Sequence, residues 1–317
     1  MTELVQEPAT KKKSFIQRLR ENPVTVKELR SRMRGRRAFV VLTVHLLVMS
    51  GFITLVYSAF ASAASGPFGP DSREVGKVIF SSVLGLQVML VIFVGPSFTA
   101  GAISGEKERQ TYDLLRTTLL SAKSFVAGKL LSALSYVLLL IFVAIPLQSI
   151  AFLMGGVAVI ELVLSQVIVL VSAVTFALWG LYASSRMRTT LSASVVTFAG
   201  ALFVTVGIPV VVGLFSMILS PFFAGAAVFS WQAEAALMYA LMFLAGTNLP
   251  ATLIVSDIVL VEEGSLWYFS TSVGGFSGSS HTVWLFSPWP LFLILYILLA
   301  VVLFYATVRR VRKIATQ

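Results

Sequence analysis

Six apolar runs, at about 38–60, 78–102, 125–153, 158–183, 191–219 and 283–307, decide what this chain can fold into. At about 1.5 Å of helical rise per residue, each is long enough to cross a hydrocarbon layer of ~30 Å. The expectation is an all-α polytopic membrane protein with six transmembrane helices. Charged residues are only 12% of the 317, against about 25% in a soluble domain, which agrees. The sequence contains no cysteine, so disulfides and thiolate metal sites are excluded. His45 and His281 are too few for a histidine metal site. The basic residues ahead of the first run are spread over 37 positions without a small-residue cleavage site. Entry through the first span, rather than a cleaved signal, is therefore expected.

Lysine and arginine mark the expected orientation. The first 37 residues hold Lys11, Lys12, Lys13, Arg18, Arg20, Lys27, Arg30, Arg32, Arg34, Arg36 and Arg37. The segment after the second run and its exit hold Lys107, Arg109, Arg116, Lys123 and Lys129. Arg186 and Arg188 follow the fourth run, and Arg309, Arg310, Arg312 and Lys313 follow the sixth. Only Arg73 and Lys77 fall on the other side, so a six-span arrangement with both termini inside places 22 of the 24 cations in the cytoplasm. The net charge of +10 is then a topological signal and an attraction to anionic lipid rather than a sign of nucleic-acid binding.

The stretch from Glu234 to Glu263 is apolar enough to suggest a seventh span, but that would move the tail cations outside. Gly246, Asn248 and Pro250 also break it in the middle. Each half, about 13 residues or roughly 20 Å of helix, is too short to cross. Two short re-entrant or outer helices are expected, with Asp257, Glu262 and Glu263 facing outside. Ser270–Ser280 is Gly/Ser-rich and suggests a flexible outer loop. The expected organisation is a cytoplasmic N-terminus over 1–37 and a six-span domain over 38–307. That domain contains a cytoplasmic coupling loop at 104–123 and an extracellular region at 220–282. A tail at 308–317 follows.

Asn22-Pro23 signals a helix start, with Asn as N-cap and Pro in the first turn. Val26, Leu29 and Met33 then form an apolar stripe, while Lys27, Arg30 and Arg34 lie mostly off it and Glu28 sits four residues before Arg32. This is an amphipathic helix suited to the headgroup region. A charged island, Ile103-Ser104-Gly105-Glu106-Lys107-Glu108-Arg109-Gln110-Thr111-Tyr112-Asp113-Leu114-Leu115, separates the second and third runs. Downstream, Leu120-Ser121 leads to Gly128-Lys129-Leu130.

Together these pieces resemble ABC-2-type permeases, the membrane subunits of type-2 (type V) ABC exporters. The N-terminal piece looks like that family's N-P-x-x-x-K-E-L/F-R interfacial helix. The island is similar to its I-x-x-E-K-E-x-G-T-x-x-x-L-L signature, with Gln110 where the family commonly has Gly. The resemblance implies two permease subunits, identical or not, and a separate ATP-binding subunit that carries ATP and Mg. It implies no cofactor on this chain, and no enzyme activity of its own. This sequence has no G-x-x-x-x-G-K-[S/T], so ATP binding through a P-loop is not expected here. The island would be the coupling helix, with Glu106, Lys107, Glu108 and Arg109 as its polar contact surface. Tyr112, Leu114 and Leu115 would be its apolar anchors, and Lys27, Glu28, Arg30 and Arg34 belong to the interfacial helix. The expected location is the plasma membrane of a prokaryote, multi-pass.

Ser97, Gly101 and Gly105 place small residues on one helical face, a pattern that allows close helix approach. His45, Gln87, Gln148, Glu161, Gln166 and Asn248 are costly in lipid and should face protein or water. Pro146, Pro209 and Gly207 are expected to kink their helices. The alternative function is an ion-coupled carrier or channel working without an ATPase, which usually requires several intramembrane charges. A membrane-embedded enzyme is disfavoured, because neither an HExxH motif nor a histidine cluster is present.

Overall fold

A computed structural model describes residues 36–63, 71–110, 121–225, 231–273 and 281–316. The expected interfacial helix with Lys27, Glu28, Arg30 and Arg34, and the anchors Tyr112, Leu114 and Leu115, lie outside these residues. Among them, six helices are long and apolar enough to cross a membrane. These are α1 (Arg36–Ala63), α2 (Ser72–Ala100), α4 (Ala122–Leu153), α5 (Val159–Arg186), the composite α6–α7 and α10 (Pro288–Thr316). The composite joins α6 (Thr190–Leu202) to α7 (Ile208–Gly225) through a single π-helical turn, Phe203–Gly207. The short helix α3 spans Ser104–Glu108, and α8 (Trp231–Ala245) and α9 (Leu249–Glu263) follow the fifth span.

Local chemistry explains several boundaries. Asp71 caps α2 by accepting from Ser72 N–H at 2.7 Å. Ser121 caps α4 by accepting from Ser124 N–H at 3.2 Å. Helix α9 starts at the Asn248 cap with Pro250 in its first turn. It ends at Gly264, whose φ of 60° suits a residue without Cβ.

The core centres on α2 and α5, with α4 against α2 and α10 against α5. Val83, Val91, Val137, Ala144, Val169 and Phe292 are fully buried there. A glycine permits the tightest approach. A Cβ on Gly180 of α5 would collide with the Thr99 hydroxyl of α2 and lie 3.2 Å from Thr197 of α6. Helices α1 and α7, by contrast, leave long apolar faces exposed, among them Phe39, Leu47, Leu55, Phe215 and Met217.

Two expectations are corrected. The chain is not all-α: β1 (Tyr268–Val273) pairs antiparallel with β2 (His281–Phe286), Tyr268 opposite Phe286 and Val273 opposite His281. Residues 270–273 of the supposed loop are therefore strand, and 274–280 lie outside the described residues. Phe269, Val273, Val283 and Leu285 pack on Ala235 and Met238 of α8, and this burial holds the hairpin in place. The sixth span also begins later than residue 283. The run Val283–Phe286 is strand, and the helix opens at Pro288, whose fixed φ suits a first helical position. That helix continues through Arg309, Arg310 and Arg312 to Thr316.

Candidate functional site

The charged island is bonded into one end of the bundle. Ile103 is fully buried against Phe125, Val126, Leu181, Val308 and Val311, which come from α4, α5 and α10. The N–H groups of Ile103 and Ser104 both donate to the Ser184 hydroxyl at 2.9 Å. These are orphan donors at a helix start, and α5 satisfies them. The Lys107 ammonium donates to the carbonyls of Ser185 at 2.7 Å and Met187 at 3.3 Å, where α5 runs out of helical partners. Glu106 pairs with Lys129 of α4 at 3.2 Å. Glu108 accepts from Thr190 N–H at 2.9 Å and from its hydroxyl at 2.8 Å, at the first residue of α6. A carboxylate here also meets the positive end of the helix dipole.

Three of the four expected contact charges are thus tied within the chain, one each to α4, α5 and α6. Arg109 and Gln110 are exposed just beyond. Gln110 has φ 55°, the left-handed region that glycine enters freely. This is the position where the resembled signature carries glycine. Gly101 and Gly105 face the Thr190 methyl, which a Cβ would meet at 3.6 and 3.4 Å. Ser97 is exposed, and its hydroxyl returns to the Val94 carbonyl at 2.7 Å. The sequence pattern did not single out Ser184, Ser185 or Thr190, although Ser-Ser before Arg186 and Thr-Thr before an apolar run are helix-end signals.

The opposite end holds a second polar cluster. Lys77 of α2 donates to Glu161 of α5 at 2.7 Å and to Asp257 of α9 at 2.6 Å. Between the two ends, Gln148 (α4) and Gln166 (α5) donate to the Gln87 (α2) carbonyl oxygen at 2.9 and 3.1 Å. Gln166 also donates to Gln148 at 2.8 Å, and the Gln87 amide donates to the Ile141 carbonyl at 3.3 Å.

Asn248 joins α9 to the fifth span. Its side-chain oxygen accepts from Ala251 N–H at 3.0 Å, while its amide donates to the carbonyls of Val204 at 2.8 Å and Thr205 at 3.1 Å. Those carbonyls need an outside donor. Ile208 N–H reaches back to Phe203 in the π register, and the next residue, Pro209, has no N–H to give. Among the described residues no group of His, Asp and Glu has the arrangement of a metal site. No protein-family model matches the chain, and no curated protein matches it.

Proposed function

We propose that this chain is the permease subunit of an ABC exporter of the ABC-2 type, moving a hydrophobic or amphipathic compound and driven by ATP hydrolysis on a separate subunit. The observation that carries this is the bonding of the 103–108 segment. Its charges hold α4, α5 and α6 at once. A force applied at exposed Arg109 is then delivered to three spans through short polar contacts rather than lost in a loop. Coupling elements need such stiffness, because a displacement travels through packed or hydrogen-bonded contacts. The basic end of the bundle is the cytoplasmic one by its cations. The exposed apolar faces of α1 and α7 are left for lipid and a second permease.

The helices α8 and α9 act as a re-entrant pair. Their junction, Thr247–Asn248, accepts from Tyr296 of α10 at 3.2 Å and donates into the middle of the fifth span. Leu237, Phe243 and Val261 expose apolar surface that lipid would cover. An ion-coupled carrier draws on the Lys77–Glu161–Asp257 cluster. That cluster involves the second turn of α2 and the first turn of α5, away from the span centres, and serves better as an outer clasp than as a coupling site.

The test is affinity purification of the tagged protein in mild detergent with an ATPase assay. A stoichiometric P-loop ATPase, lost in Arg109→Glu at unchanged melting temperature, is the expected result. A folded preparation without an ATPase would remove the proposal.

A further inference from the structure

Helices α2 and α9 flank a half-open cavity of about 360 Å³, walled by Phe80, Leu84, Val88, Leu253 and the exposed Ile254, and bordered by Asp257. A smaller space of about 20 Å³ shares Phe80, Leu84, Leu253 and Asp257 and adds Glu161, Ser165 and Ser256. The two share part of one wall, but Glu161 and Ser256 border only the smaller space, and the larger chamber ends at Asp257. Ser256 is 4% exposed, and its hydroxyl has no hydrogen-bond partner. A buried hydroxyl in that condition costs free energy unless something fills the space beside it.

The charge at this end favours a cation. Among the described residues, Lys77 alone faces both Glu161 and Asp257, leaving a formal excess of one negative charge. Asp71, Glu74, Glu161, Glu234, Asp257, Glu262 and Glu263 are the carboxylates of this side. Against these seven stand only Arg73 and Lys77. Arg73 and Glu74 are exposed in the first turn of α2 and offset one another. An acidic mouth over an apolar wall concentrates cations and repels anions.

We infer that the α2–α9 cavity binds an amphipathic cation as a solute. Its apolar body lies along Leu84, Val88 and Ile254, and its positive head meets Asp257. This deepens the exporter proposal by naming a substrate class, but binding itself requires no ATPase.

The experiment is scintillation-proximity binding of radiolabelled tetraphenylphosphonium to the chain in phosphatidylcholine nanodiscs, with empty nanodiscs subtracted. Dodecyltrimethylammonium, dodecyl sulfate and dodecyl maltoside serve as competitors of one tail and three charges. Saturable binding displaced by dodecyltrimethylammonium, and not by the anionic or neutral detergent, is expected. Asp257→Asn should weaken it about ten-fold, the effect of one lost charge pair in a partly exposed site. Gly85 borders the cavity, and a Cβ there meets nothing within 4 Å. Gly85→Leu should therefore fill the chamber and abolish binding while the fold persists. Equal displacement by dodecyl sulfate, binding retained in Gly85→Leu, or no signal above empty nanodiscs would each overturn the inference. Cation binding without an ATPase partner would sink the exporter proposal alone, and a partner without cation binding would sink this one alone.

Discussion

Asn248 performs two tasks with opposite ends of one amide, and its variants separate them. The oxygen caps α9, and the NH₂ serves the two carbonyls that Pro209 leaves without a donor. Asn248→Ala loses both. A cap is worth about 1 kcal/mol and each interhelical hydrogen bond in a membrane protein about 0.6 kcal/mol. The expected cost is about 2 kcal/mol, or roughly 30-fold in the unfolding equilibrium. Asn248→Asp keeps the cap acceptor but turns a carboxylate toward two carbonyls at a site only 2% exposed. It should cost more than the alanine change, because an unpaired buried charge is worse than a missing side chain. Pro209→Ala returns an N–H to the fifth span, so Asn248→Ala should cost less in that background. The assay is SDS unfolding in mixed micelles, followed through the fluorescence of the 5 tryptophans. If Asn248→Asp is as stable as the parent, the cap alone matters and the bond to the π turn is energetically irrelevant.

The glutamine cluster should reward removal of all its members over removal of one. Gln87→Leu strands the Gln148 donor and should cost about 1–3 kcal/mol, whereas replacing Gln87, Gln148 and Gln166 by Leu together should be nearer neutral in the same unfolding assay. Gly180→Ala should destabilise by about 1–3 kcal/mol through overpacking against Thr99, while Ser97→Ala should stay within about 0.5 kcal/mol. Gln110→Gly should stabilise by about 1 kcal/mol, as a thermal melt would register, because it relieves a left-handed backbone at a side chain with Cβ. Glu108→Gln should cost about 1 kcal/mol at the start of the fifth span, and should weaken ATPase stimulation more than it lowers the melting temperature.

Much of the fold was legible because hydrocarbon imposes a length on each apolar run, and the six runs map onto the six long helices. The break at Gly246, Asn248 and Pro250 likewise separates α8 from α9. The hairpin was not legible. Tyr268–Val273 alternates only weakly, and its hydroxyl residues resemble a loop until β2 and α8 are beside it. The same blind spot extended the sixth span into Val283–Phe286, which is apolar in either secondary structure. At the island, the charges announced a site, but their roles did not follow from the sequence. Ser184, Ser185 and Thr190 lie about 80 residues away in the chain, and only the parallel packing of α2 and α5 brings them to Ile103–Glu108. Glu106, Lys107 and Glu108 brace the bundle through these bonds, and Glu108 and Arg109 are exposed beside them.

The chain contains no cysteine, so single cysteines can report contact without interference. The most direct measurement places one at Arg109 and, separately, one at exposed Ser272 on β1, labels each with a maleimide–benzophenone reagent in membranes and irradiates, so that the photoreactive end can insert into any neighbouring chain. An adduct with a P-loop ATPase from position 109, and none from position 272, is the predicted result. No ATPase adduct from position 109, with the protein folded and labelled, would contradict the account at its centre.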